Sequence, residues 1–129
     1  MKELLKGLNE ASEQIHAAAI EKGFYDQPRE NGTLLMLVVS ELSEALEADR
    51  KDKYCWAGQA YRRDGFNFAE PYVMEIFEKT TKDTHEDEIA DTIIRLLDYA
   101  AFKKIDLEWH ITQKLKYNAT RPRKHGKAY

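Results

Sequence analysis

Apolar residues return at three- and four-residue steps through Leu4, Leu5, Leu8, Ala11, Ile15, Ala18 and Ala19, and Gly23 stands where that stripe stops. The spacing predicts a first helix over residues 2–22. Phe24 to Gly32, with Pro28 and Asn31-Gly32, reads as a loop. A second helix follows over residues 33–50. Its first half, Leu34 to Val39, is apolar on every side and needs cover on every side, which points to a central position or a subunit interface. Residues 51–69 set the aromatics Tyr54, Trp56, Tyr61, Phe66 and Phe68 among charges and glycines without a periodic stripe. Pro71 suits the first turn of a short helix through Val73, Ile76 and Phe77. Thr84 with Asp87 resembles a capping box for a third main helix, striped by Ile89, Ile93, Leu96, Leu97, Ala100 and Ala101. Asp106 is a good N-cap for a fourth, with Leu107, Ile111 and Leu115 along it, and Pro122 and Gly126 end regular structure after Asn118. There is no strand-like alternation and no internal repeat. The pattern is all-α: a bundle of about four main helices in one domain over residues 1–129, with an irregular, short-helix insertion at residues 51–83.

Composition narrows the setting. The 129 residues suffice for one core, and no polar low-complexity run suggests disorder. The single cysteine, Cys55, excludes an intramolecular disulfide framework and a cysteine-based zinc cluster, and fits a reducing compartment. The longest apolar run, Leu34 to Val39, is far short of the ~20 residues of a membrane span, and the charged first residues have no signal-type apolar core. A cytoplasmic protein without a membrane partner is expected. The formal charge of −3 is unevenly placed: residues 112–129 carry six bases and no acid, which leaves −9 on residues 1–111. An acidic body thus ends in a basic arm, residues 119–129, preceded by Lys114 and Lys116.

Two carboxylate pairs stand out. Glu41 with Glu44, and Glu88 with Asp91, each put two acids three residues apart on one helical face, where like charges repel unless solvated or compensated. A hard divalent cation such as Mg²⁺ is a natural compensator, because it takes oxygen ligands and bridges carboxylates to phosphates. Helical phase separates the pairs. With Leu34 at zero and about 100° per residue, the stripe Leu35, Val38, Val39, Leu42, Ala45 and Leu46 spans about 20° to 140°. Glu41 falls at about 340°, beside Leu37 and Ala48, so an ionised carboxylate there needs a partner. Glu88 and Asp91 fall outside their own helix's stripe, on a face shared with Arg95, and acids in the first turn after Thr84 suit the helix dipole without any function.

The acidic pairs become specific in series. Glu41-Leu-Ser-Glu44-Ala-Leu, then Glu88-Ile-Ala-Asp91 with Ile93, Leu96 and Leu97, then Ile105-Asp106-Leu107-Glu108, and last Lys114-Leu-Lys-Tyr-Asn118-Ala-Thr-Arg121-Pro122 closing on His125-Gly126-Lys127, resembles the MazG-like nucleotide pyrophosphohydrolases. That all-α NTP pyrophosphatase superfamily also holds dimeric dUTPases, dCTP pyrophosphatases and phosphoribosyl-ATP pyrophosphohydrolases. The resemblance implies Mg²⁺- or Mn²⁺-dependent cleavage of a nucleoside triphosphate between its α and β phosphates. It makes Glu41, Glu44, Glu88 and Asp91 the metal ligands, with Glu41 also positioning the attacking water. It makes Lys114, Asn118 and Arg121 phosphate contacts. Arg95, one turn after Asp91, either orients that carboxylate or touches a phosphate. The 43 residues between Glu44 and Glu88 exceed the family's usual short connection, and Tyr54 or Trp56 there, with His16 on the first helix, are the candidates for binding the base. Helices of this length with an all-round apolar segment point to a site completed by a homodimer or homotetramer.

Other signals carry less. Glu13-Gln-Ile-His16 is the Glu-x-x-His pair of di-iron bundles, but it occurs once rather than twice. Asn118-Ala119-Thr120 has the form of a glycosylation acceptor in a chain with no secretory signal. The competing functional class is a non-catalytic helical module that binds nucleic acid through its basic C-terminal arm, its acidic pairs being solvated faces.

Overall fold

The computed structural model describes residues 5–55 and 71–126. Among the described residues there are five helices, α1 (Leu8–Glu21), α2 (Asn31–Arg50), α3 (Pro71–Thr80), α4 (His85–Phe102) and α5 (Leu107–Ala119), and one 3-10 turn, Arg123–Gly126. No strand occurs among the described residues, so the fold is all-α. The chain forms two compact units, one of Met1–Pro28 with Leu97–Tyr129 and one of Arg29–Leu96. Helix α4 contributes its first turns to the second unit and its last residues to the first.

In the first unit, α1 and α5 cap each other. Gly7 sits in the left-handed region at φ 89°, which glycine adopts without strain, and α1 begins after it rather than near residue 2. Glu108 of α5 accepts from the N–H groups of Gly7 and Asn9 at 3.0 and 3.2 Å. In return the Asn9 side-chain oxygen accepts from the N–H groups of Leu107 and Glu108 at 2.9 and 3.3 Å. Asp106 accepts from the Asn9 amide and from Trp109 N–H, which makes it the N-cap its sequence position predicts. The Asn9 side chain first, and Trp109 N–H second, hold the Asp106 carboxyl below its ordinary range. Asn9→Ala is therefore expected to leave two first-turn donors of α5 without their acceptor and to cost about 1–2 kcal/mol in thermal or urea unfolding. In an NMR titration of the same variant Asp106 should move back up. An unchanged melting midpoint would make the clasp incidental.

The first unit also builds a small polar cluster. Asp98 receives His16 Nδ1 and Tyr25 Oη, each at 2.7 Å. The Tyr25 ring lies 4.7 Å from His16, edge-on, and 5.2 Å from Phe102. Helix α1 ends as predicted at Gly23, at φ 81°, where Gly23 N–H returns to Ile20 O and Phe24 N–H to Ala19 O.

The second unit is organised by one narrow stripe of α2. Leu34, Val38, Glu41, Ala45 and Ala48 are its buried positions. This differs from the stripe read from hydrophobicity, because Leu35, Val39, Leu42 and Leu46 lie open, as do Ile89, Ile93, Ile94 and Leu96 on α4. Within this unit the buried positions of α4 and its N-terminal turn are polar instead: Thr84, Glu88 and Thr92, while the buried Ala100 belongs to the first unit. Thr92 returns its hydroxyl to the Glu88 carbonyl at 2.9 Å, so it enters the interior with its donor satisfied. Several contacts tie the start of α4 to the chain before it, among them His85 N–H to the Lys53 carbonyl at 2.9 Å. His85 Nδ1 donates to the Ala45 carbonyl at 2.9 Å, and Glu86 accepts from Cys55 N–H at 2.8 Å. The start of α4 departs from the predicted capping box: Thr84 donates its hydroxyl to the Thr81 carbonyl, and Asp87 accepts from Asp83 N–H.

Candidate metal centre

Glu41 occupies the middle of the buried stripe of α2, and Glu88 and Asp91 occupy successive turns of α4. One carboxylate oxygen from each lies within 4.8 Å of the other two. Glu41 is 6% exposed and Glu88 7%, and Asp91 is the most open of the three. Acids from two helices, 47 residues apart in the chain from Glu41 to Glu88, thus converge where two of them have lost most of their water.

The electrostatics follow from that placement. Burial first, then the charges of Glu44 and Glu41, a hydrogen bond with Glu41 and the charge of Asp91 push the Glu88 carboxyl up to about 7. Asp91 is also raised, by burial first and then by Asp87 and Glu41, against the lowering effect of Arg95. Arg95 is the one cation that reaches into the group among the described residues: its Nε donates to Glu41 Oε1 at 2.5 Å. The pair is asymmetric, with the Glu41 side chain 8% exposed and that of Arg95 41%. Sequence proximity pointed Arg95 at Asp91. The buried Glu41 takes it instead, because an ionised carboxylate out of water needs a counter-charge more than one at the surface does.

The donor set suits a hard divalent cation. All three converging atoms are carboxylate oxygens, and the groups acting on Glu88 are acidic. Mg²⁺ or Mn²⁺ matches these ligands, whereas a soft ion would want sulfur or imidazole. Glu44 raises Glu88 by its charge, but it is exposed and places no oxygen in the converging group. Three of the four sequence-predicted ligands are therefore brought together.

The remaining candidates distribute as follows. Lys114 and Asn118 lie on α5, with Arg121 just beyond it, in the first unit, while the acids lie in the second. Lys114 Nζ stands 5.3 Å from the centre of the Tyr117 ring and the Arg121 guanidinium 5.9 Å from it, so that two cations stand against one aromatic ring. The Asn118 carbonyl accepts from Arg121 N–H at 3.1 Å. His16 belongs to the Asp98 cluster of the first unit. Glu13 is exposed, and the Glu13–His16 pair assembles no ligand set among the described residues. Tyr54 donates its hydroxyl to Asp49 and packs its ring 5.3 Å from His85, and Trp56 lies outside the described residues. Sequence reasoning missed the Arg95–Glu41 pair and the Asp98 cluster, since each joins residues more than fifty positions apart. A cavity of about 540 Å³ in the first unit, lined by Asn9, Ser12, Glu13, Ala101, Lys104, Ile105 and Asp106, holds none of the predicted ligands.

No protein-family model matches the chain, and no curated protein and no solved structure matches it either.

Proposed function

We propose that this chain is a Mg²⁺-dependent nucleoside triphosphate pyrophosphohydrolase, hydrolysing an NTP or dNTP to the monophosphate and pyrophosphate, with Mn²⁺ able to replace Mg²⁺. The observation that carries the reading is the convergence of the buried Glu41 and Glu88 with the more open Asp91, on residues that the resemblance to MazG-like pyrophosphohydrolases marks as metal ligands. Bound there, a divalent cation supplies neutralisation of phosphate charge and a more acidic water. The chain's own residues do the rest. Glu88, Asp91 and one oxygen of Glu41 hold the ion. Glu41 Oε1 also accepts from Arg95 Nε, and Glu41 is the carboxylate that positions the attacking water. Lys114, Asn118 and Arg121 take the role of phosphate contacts from the resemblance alone.

Two further parts of the reading concern setting. The reading places the protein in the cytoplasm, where a single buried cysteine, Cys55, is in keeping with a reducing compartment; no helix among the described residues is long and apolar enough to cross a membrane. The open apolar rows of α2 and α4 suit a homodimer or homotetramer.

The test is to incubate the protein with Mg²⁺ and a panel of NTPs and dNTPs, assaying pyrophosphate and orthophosphate separately. Stoichiometric monophosphate and pyrophosphate from at least one nucleotide is the expected result. Orthophosphate release, or no turnover of any nucleotide, overturns it. Salt-sensitive binding to DNA or RNA, lost on deleting residues 119–129, would then favour the nucleic-acid module.

A further inference from the structure

The Arg95 guanidinium has more hydrogen-bonding capacity than its one partner among the described residues uses. Its Nε is spent on Glu41 Oε1, yet among the described residues neither terminal nitrogen donates to any acceptor, and two-fifths of the side chain is open to solvent. A surface arginine normally leaves such donors to water. This one differs in being anchored: Nε is fixed on a carboxylate that is itself buried, so the plane of the fork is set by the interior of α2 rather than by solvent. The anchor is also one of three carboxylates whose oxygens lie within 4.8 Å of one another. A carboxylate has two oxygens, and Glu41 can ligate a cation through one while it holds Arg95 through the other.

We propose that Arg95 is an anion-binding residue of this centre, held by Glu41 so that its terminal N–H groups take a phosphate oxygen of the polyphosphate whose charge the cation neutralises. The assignment rests on the metal reading above and adds to it a named residue for the anion. Its chemistry is that of an oxyanion placed between a carboxylate-held cation and a guanidinium fork, which offers two parallel charge-assisted hydrogen bonds. Cation and anion then help each other. The cation offsets the carboxylates that would repel a phosphate, and the anion offsets the repulsion between the cation and Arg95, so each ligand tightens the other by the same factor.

The test uses calorimetric titration of the full chain with Mn²⁺ alone and with inorganic pyrophosphate at saturating Mg²⁺, in the wild type, Arg95→Met and Arg95→Lys. Arg95→Met is expected to keep or tighten Mn²⁺ binding, because a positive neighbour is gone, and to weaken pyrophosphate about tenfold or more. Arg95→Lys keeps the charge on Glu41 without the fork and is expected to lose pyrophosphate affinity several-fold, at unchanged Mn²⁺ affinity. Should Arg95→Met fail to fold, Arg95→Lys carries the test by itself. A purely structural ion pair would leave pyrophosphate binding unmoved in whichever variant folds, and that result, with Mn²⁺ still bound, overturns the assignment of Arg95 alone. A wild type that binds no Mn²⁺ overturns the metal reading and this assignment with it.

Discussion

Glu88→Gln is expected to do two opposite things: to abolish divalent-cation binding and any nucleotide turnover, and to make the cation-free protein more stable above neutral pH. The second effect follows from the position of Glu88 in the interior of the second unit, 7% exposed and beside Glu41, Glu44 and Asp91. Its carboxyl titrates at about 7 in the folded chain against 4.5 for an ordinary glutamate, so the folded state holds a proton that the unfolded state has already released. Stability from this group is complete below the ordinary value and is lost as pH rises through the folded one. The loss is on the order of 3 kcal/mol across that window, or roughly 10 °C in melting temperature. Asp91, raised by the same burial, adds in the same direction. Glutamine keeps the shape and never ionises, so the variant's stability should vary much less between pH 5 and pH 8. Mg²⁺ should stabilise the wild type at pH 8 by mass action and leave the variant unmoved. Calorimetric melting with and without Mg²⁺ at the two pH values checks both halves. A variant that still gains stability from Mg²⁺, or that melts lower than the wild type at pH 8 without it, contradicts the cluster as drawn.

How much of this could be read in the chain depends on the distance over which each feature is decided. Helix ends are decided locally. Gly23 stops α1 because glycine takes the left-handed turn without strain, Pro71 opens α3, and Asp106 caps α5 through its own side chain. The burial of Glu41 was legible as well, since its helical phase falls among Leu37 and Ala48. The start of α1 was not legible. Gly7 interrupts a stripe that runs on past it, and the acceptor that rewards the interruption is Glu108, 101 residues away. The partner of Arg95 was hidden for a related reason. An aspartate one turn before an arginine is a favourable local pair, and only the three-dimensional structure reveals a more deeply buried carboxylate on another helix competing for the same charge. Periodicity found apolar rows on α2 and α4 that lie open in the structure, and it could not say what they face, since a row buried against another copy of the chain has the same spacing as one buried against its own.

That ambiguity sets the second large expected effect: a single charge on either open row, Ile93→Glu or Leu42→Arg, should turn an oligomer into monomers. On α2 the open residues Leu35, Val39, Leu42 and Leu46 follow one another at four, three and four positions, and on α4 Ile89, Ile93 and Leu96 at four and three. Steps of this kind make the seam of helices that pack side by side, knobs into holes. With Met36 and Ile94 the two helices expose nine large apolar side chains of this unit at 37% to 62%. At about 80 Å² each they come to roughly 700 Å², close to the ~800 Å² per partner of a standard stable interface. Two copies that meet through α2 and α4 would complete a four-helix arrangement. Neither Ile93 nor Leu42 is among the converging acids, so their substitution tests association without touching the ligands. A charge buried in such a seam without a partner costs about 3 kcal/mol or more, a hundredfold in association. Sedimentation equilibrium at micromolar protein should find a dimer or tetramer for the wild type and monomer for either variant. Because the acids of α2 and α4 sit on the same two helices as the open rows, the proposed pyrophosphohydrolase activity should fall with the oligomer and recover at high protein concentration. A wild type that sediments as a monomer, or variants that stay associated, would mean that these rows meet something other than a second copy of the chain.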